Sequence, residues 1–205
     1  MWNALLNDDG QTNDTEVNAF LGSVLGFFER GRLLCLGENE ATNAVYLATY
    51  GFDVVAVDPT ITGIARLQQL AREHSVTIET HHVNFADFEF GIARFDTIVL
   101  LFCHIPQALR RIVHHRATLA LKPGGLLILE GFRPEQLAIG PCGHDSLSLL
   151  MTRADILAEL STLDMIRVGE VERLLEEGPR RSGKAATLDI IARKRFVHIP
   201  LGPIN

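Results

Sequence analysis

The sequence predicts an α/β fold: a doubly wound, mostly parallel sheet that ends in an antiparallel C-terminal hairpin. Three observations carry this. From Arg32 to Phe132, short apolar runs alternate with segments of helical periodicity. The interior of the best run, "VVAV" within Asp53–Val57, is wholly apolar, as a parallel strand covered on both faces requires. Near the C-terminus, Met165–Leu175 and Ala185–Ala192 are joined only by Glu176–Lys184, a link too short for a crossover helix, so those strands pair antiparallel.

At 205 residues the chain suits a single domain over 1–205, and an apolar share of 47% with 21% charged residues suits a globular core. The net charge of -6, with no basic run, argues against binding nucleic acid through its backbone. The first residues lack the basic and apolar regions of a signal peptide, and no apolar run is long enough to span a bilayer. Cys35, Cys103 and Cys142 are odd in number and widely spaced, which fits a reducing, cytoplasmic setting rather than a disulfide framework.

The elements follow in order. Residues 1–14 are polar and read as a flexible or lid segment. Val17–Phe28 has helical spacing, with Asp14 or Thr15 as its cap, and Gly31 stops it. Arg32–Leu36 is a strand, Ala41–Tyr50 a helix closed by Gly51, and Asp53–Val57 a central strand. Ile61–His74 is helical, Thr77–His81 a strand, Phe95–Phe102 a buried strand, and Pro106–Ala120 a helix with Pro at its start. "LKPGG" at Leu121–Gly125 reads as a turn and Leu126–Phe132 as a strand. Residues 133–150 read as an inserted loop, Arg153–Leu160 as a helix capped by Thr152, and residues 196–205 as a tail.

In open α/β sheets, ligands bind beyond the carboxyl ends of the strands. That puts Gly37–Asn39, Asp58, Asn84–Ala86 and Phe102–His104 on one rim. The turn Gly37-Glu38-Asn39-Glu40-Ala41-Thr42 has one glycine where a diphosphate needs several close backbone N–H groups. Its two carboxylates would repel a diphosphate. A ligand that carries an amine and a sulfonium instead of phosphates has the opposite preference, and S-adenosylmethionine is such a ligand. Its ammonium can meet Glu38 or Glu40, and Asp58 can accept from ribose hydroxyls. The bland alternatives stay open: a lone glycine is a common turn, Asp58-Pro59 can simply start a helix, and acids suit a helix N-terminus.

The segments "LLCLGENEATNAVYLATYGFDVVAVDPT", "NFADFEF", "FDTIVLLFCHIP", "LKPGGLLILEGFRPEQL" and "LLEEGPRRSGKAA" resemble those of class I S-adenosylmethionine-dependent methyltransferases. Within that class they are similar to small bacterial tellurite-resistance-type methyltransferases. The resemblance covers roughly residues 16–195 and implies a Rossmann-like, seven-stranded sheet with an antiparallel last strand. It implies that Gly37, Glu38 and Asn39 line the methionyl part of the cofactor. Asp58 would hold the ribose beside Pro59 and Thr60, and Asn84 the adenine beside Phe85 and Ala86. Phe102, Cys103 and His104 would face the reactive end. Cys35 stands where many relatives have Asp, and Asn39 and Ala41 where they have glycines.

Methyl transfer from a sulfonium needs alignment and a dry site more than it needs protein chemistry. His104, just past the fourth strand, is the candidate base; it could equally cap the helix that follows Pro106. His81, His82, His114 and His115 read as surface or packing residues. Cys142 and His144 lack further ligands at metal spacing, so no metal is expected. Arg180 and Arg181, with Lys184, could hold an anionic substrate from the hairpin loop, or form a solvated turn. The leading expectation is a cytoplasmic S-adenosylmethionine-dependent methyltransferase, monomer or homodimer, acting on a small molecule such as a thiol or chalcogen species. The rivals are a non-catalytic binding module with an altered cofactor turn, and a nicotinamide-dependent reductase, which the absent GxGxxG and the closing hairpin disfavour.

Overall fold

The structure, a computed structural model, describes residues 17–37, 41–140, 146–176 and 182–196; residues 1–16, 38–40, 141–145, 177–181 and 197–205 lie outside the described residues. The elements are α1 (Ala19–Val24), β1 (Arg32–Leu36), α2 (Thr42–Thr49), β2 (Asp53–Asp58), α3 (Ile61–Glu73) and β3 (Glu79–His82). They continue with β4 (Phe95–Leu101), α4 (Gln107–Ala120), β5 (Leu121–Phe132), α5 (Gln136–Ile139), α6 (Arg153–Glu159), β6 (Leu163–Glu176) and β7 (Ser182–Lys194).

The strands form one seven-stranded sheet in the order β3-β2-β1-β4-β5-β7-β6. The first five are parallel, and β7 pairs antiparallel with both β5 and β6. The apolar interiors of β1 and β2 are needed because both faces are covered. On one face Leu33, Cys35, Val54, Ala56, Leu101 and Ile128 pack against α1, α2 and α3. On the other, Leu34, Leu36, Val57, Leu100, Leu129 and Ile190 pack against α4 and α6. The strand order switches between β1 and β4, and in open α/β sheets ligands bind beyond the carboxyl ends of the strands at such a point.

Three local expectations change. α1 is capped by Asn18, whose Oδ1 accepts from the Leu21 N–H at 2.7 Å, rather than by Asp14 or Thr15, because the helix starts later in the chain. Lys122–Gly125 is an irregularity within β5 rather than a turn ahead of it. Leu121 already pairs with Phe95, and the next pair, Thr97 with Leu126, leaves these four residues looped out against Asp96, with Gly124 at φ 82°. The stretch read as a loop over residues 133–150 contains α5, whose Gln136 side chain bonds Ala186 N–H at 2.7 Å and Lys184 O at 3.2 Å, tying it to β7. Thr152 caps α6 as its sequence position predicts, accepting from Asp155 N–H at 3.1 Å. Among the described residues, no helix is long and apolar enough to cross a membrane.

Candidate functional site

Parallel pairing puts the ends of β1, β2, β3 and β4 on the same edge, so Gly37, Asp58, Asn84 and Phe102 share the rim. The turn after β1 is anchored at its start: Gly37 N–H donates to Val57 O at 2.9 Å. Gly37 has φ 77°, and a Cβ there would lie 3.1 Å from Cys103 Sγ, so the turns after β1 and β4 are in contact. At the far side, Ala41 sits in the left-handed region at φ 65° directly before α2. That conformation costs an alanine about 1–2 kcal/mol. Ala41 therefore takes a glycine-type backbone conformation without being a glycine. The methyl group is fully buried among Ala44, Val45 and their neighbours, which offsets part of the cost. Glu38 and Asn39 lie outside the described residues.

Asp58 is 3% exposed. Its Oδ1 accepts from Thr60 N–H at 2.7 Å and from Thr60 Oγ1, while Thr60 Oγ1 accepts from Gly63 N–H at 3.1 Å. One oxygen of Asp58 thus starts α3, with Pro59 between. Its Oδ2 takes no hydrogen bond from the described residues, so it is free for a ligand's hydroxyls. Gly63 must be small, because a Cβ there would come within 2.8 Å of the Asp58 carboxyl and of Thr60 Oγ1. Gly63→Ala is expected to displace the carboxyl and weaken ligand binding without moving the rest of the sheet, which titration of the variant checks. Asn84 opens a turn, its carbonyl accepting from Asp87 and Phe88 N–H at 2.9 and 3.1 Å. The Phe85 ring lies in the core rather than on the rim, and Ala86 is half-buried beside it.

Beyond β4, Phe102 adopts φ 48°, a strained conformation for a bulky residue of the kind found at functional sites. It packs on Phe132 with ring centroids 4.7 Å apart, and the half-buried His104 ring lies nearly parallel to Phe132 at 5.6 Å and 13°. Cys103 is buried on the α4 face. Leu150, Leu175 of β6 and Ala185 of β7 complete an apolar cluster around Phe102 and Phe132. Arg180 and Arg181 lie outside the described residues.

A buried polar network that the sequence reading did not single out borders this cluster. Glu130 and Asp189 are 0% and 1% exposed and face each other across β5 and β7. Glu130 Oε1 pairs with Arg173 of β6, and its Oε2 accepts from Asn18 Nδ2 at 2.6 Å. The Asn18 N–H in turn donates to Asn43 Oδ1 of α2 at 3.0 Å. Arg173 Nη1 is 3.8 Å from Asp189 Oδ2, and Thr187 Oγ1 donates to Asp189 Oδ1 at 2.9 Å. Burial pushes the Asp189 carboxyl above its ordinary range, against the opposing pull of Thr187, Arg173 and Arg167. The network links the start of α1, the helix after the β1 turn, and the closing hairpin. Among the described residues, no group of His, Cys, Asp and Glu has the arrangement of a metal site.

Residues 33–125 match the family described as Methyltransferase domain. TehB from Haemophilus influenzae is similar in structure, with a TM-score of 0.72 and 16% identity over 95% of this chain and 66% of that one. An S-adenosylmethionine-dependent methyltransferase from Methanosarcina mazei is similar at a TM-score of 0.70 and 16% identity, over 85% of this chain and 97% of that one. A protein of the conversion of a disulfide bond into a thioacetal group during echinomycin biosynthesis gives a TM-score of 0.72 and 14% identity, over 89% and 83% of the two chains. No curated protein matches the chain. The matched part runs from β1 into β5, and the chain shares with these solved structures a Rossmann-like methyltransferase fold.

Proposed function

We propose that the protein is an S-adenosylmethionine-dependent methyltransferase acting on a small-molecule acceptor, a thiol or chalcogen species. The observation that carries this reading is Asp58: a buried carboxylate at the end of β2, with one oxygen fixed by Thr60 and the other open. A vicinal ribose diol suits such a group. Gly37, held open against Cys103, leaves backbone exposed for the methionyl end, so the described residues fit the cofactor. When bound, the cofactor supplies an electrophilic methyl group on a sulfonium.

The chain's own part is to hold, orient and exclude water. Gly37, Glu38 and Asn39 would flank the methionyl part, Asp58 and Pro59 the ribose, and Asn84, Ala86 and the backbone of Phe85, whose ring is in the core, the adenine. The Phe102–His104–Phe132 stack walls the acceptor end with apolar surface. A soft anionic acceptor needs no base for attack; His104 would take a proton from one that arrives protonated. Arg180 and Arg181 would attract an anionic acceptor. The neighbour connected with thioacetal formation supports sulfur as the acceptor element. The proposal takes the protein to be cytoplasmic, a monomer or homodimer, and without nucleic-acid or membrane partners; its net charge of -6 supports the absence of a nucleic-acid partner.

Calorimetric titration with S-adenosylmethionine and S-adenosylhomocysteine, followed by mass spectrometry of thiols and chalcogen oxyanions incubated with protein and cofactor, tests the proposal. Micromolar binding and a product 14 Da heavier (about one CH2) are expected. Absence of binding at millimolar cofactor would sustain instead the reading of a non-catalytic module, which the missing glycines at Asn39 and Ala41 favour. Gly37→Ala is expected to lower affinity at least about tenfold, because φ 77° is unsuited to alanine and its Cβ would press on Cys103 Sγ.

A further inference from the structure

We infer that Arg110 is a positioning residue for the acceptor wall, acting from behind the sheet through the carbonyl of Leu150. The inference rests on the proposed methyl transfer only for what the wall is used for. Arg110 lies in α4 and is 0% exposed. Its Nε and Nη2 bond Glu159 of α6 at 3.0 and 2.9 Å, and its Nη1 bonds Leu150 O at 3.1 Å. One turn on, His114 Nδ1 lies 2.8 Å from Glu159 Oε2, off the line of an aligned hydrogen bond and so an electrostatic contact.

Stability alone is a weak reason for this arrangement. A buried ion pair is generally no more stabilising than well-packed apolar residues of the same volume. Arginine does have one capacity that an apolar residue lacks. Its planar fork binds a carboxylate bidentately and leaves a further N–H for a third group. Here the third group is a backbone carbonyl in the segment that closes the apolar cluster.

Leu150 packs with Phe102 and Phe132. The next residue, Met151, donates its N–H to Phe132 O at 2.8 Å and fills the space left by Gly131, where a Cβ would lie 2.7 Å from Met151 Cε. Phe132 in turn stacks on His104. The chain of contact therefore runs from Arg110 through residues 150–151 to Phe132 and His104, and it bypasses Gly37, Asp58 and the rest of the cofactor rim. Loss of the Nη1 bond would let the wall shift while cofactor affinity stays the same.

The test is the double variant Arg110→Met/Glu159→Met, which removes both charges together and leaves neither buried without a partner; Arg110→Lys is the companion. Three readouts are taken: S-adenosylhomocysteine affinity by calorimetry, hydrogen exchange of residues 146–151, and methylation of 4-nitrothiophenolate as a chromogenic thiol probe. Expected are an unchanged S-adenosylhomocysteine affinity, faster exchange confined to 146–151 with a shifted His104 ring resonance, and a KM for the probe raised about tenfold. Unchanged exchange and an unchanged His104 resonance overturn the inference, as does a fall in cofactor affinity that matches the rise in KM. If the wild-type protein leaves the probe unmethylated, the thiol reading fails by itself, and the exchange and His104 readouts still decide the role of Arg110. Should the double variant not fold, Arg110→Lys is measured by the same three readouts and the same outcomes decide.

Discussion

Arg173→Met is expected to destabilise the protein by about 3–5 kcal/mol, read by urea unfolding at neutral pH. The residue lies within 4 Å of both Glu130 and Asp189, which are paired neighbours across β5 and β7. Removing it leaves two buried carboxylates side by side. Asn18 and Thr187 can donate to them but cannot neutralise them. Carboxyls in that position gain protons more readily in the folded chain than in the unfolded one, as Asp189 already does. A carboxyl whose folded value is raised contributes stability that is present below its unfolded value, and that stability is lost as pH rises through the folded value. The deficit of the variant is therefore expected to shrink as pH falls from about 8 towards about 5. A loss under about 1 kcal/mol, or one that is flat with pH, would show that water or a masking rearrangement neutralises the pair.

The opposite sign holds behind the sheet. Burial pushes the Glu159 carboxyl up, but contacts from His114 and Arg110 outweigh it and leave the carboxyl below its ordinary value. That contribution is present above the unfolded value of 4.5 and is lost as pH falls through the folded one. Glu159→Gln is expected to flatten the acid limb of the stability profile, which thermal unfolding between about pH 3 and about pH 6 measures.

What could be read from the sequence and what could not differ for physical reasons. β1 was legible at Arg32–Leu36 because Gly31 and Gly37 bound a run that is wholly apolar after Arg32. The hairpin was legible because a short link leaves one pairing geometry. The irregularity in β5 was not, since Lys122–Gly125 looks like any Pro-Gly turn until Leu121 is known to pair with Phe95. The polar network did leave a signal. Glu130 is the lone acid in "LLILEGF" and Asp189 the lone acid in "ATLDIIA", two runs whose neighbours are all buried. An acid in such a run must have a partner, but sequence alone does not supply the register that sets the two opposite each other or brings Arg173 over both. Likewise Arg110 and His114 stand four apart on the face of α4 that carries Val113 and Ala117. That spacing points both inward, which for His114 selects packing from the two alternatives of surface and packing, yet the charge they meet comes from α6, more than forty residues on.

Asp58→Asn is expected to weaken S-adenosylhomocysteine binding by about 10- to 100-fold while leaving the unfolding midpoint nearly unchanged. The asparagine carbonyl can still accept from Thr60 N–H and Oγ1, so the start of α3 survives. The amide nitrogen, however, replaces Oδ2, and a donor there meets the ribose hydroxyls as another donor. Hydrogen bonds to a charged acceptor contribute about 1.5–3 kcal/mol each, and loss of one of them gives the range stated. Asp58→Ala removes the helix start as well, so it is expected to lower stability by about 1 kcal/mol in addition to abolishing detectable binding. The contrast between the two variants separates a carboxylate that holds a ligand from one that merely begins a helix. If the asparagine variant binds as tightly as the wild type, Asp58 serves α3 alone, and the adenosyl compound, if it binds, is held elsewhere on the rim. NADH gives a parallel check: the glycine-poor turn after β1 is expected to leave its fluorescence unchanged at concentrations where S-adenosylhomocysteine saturates.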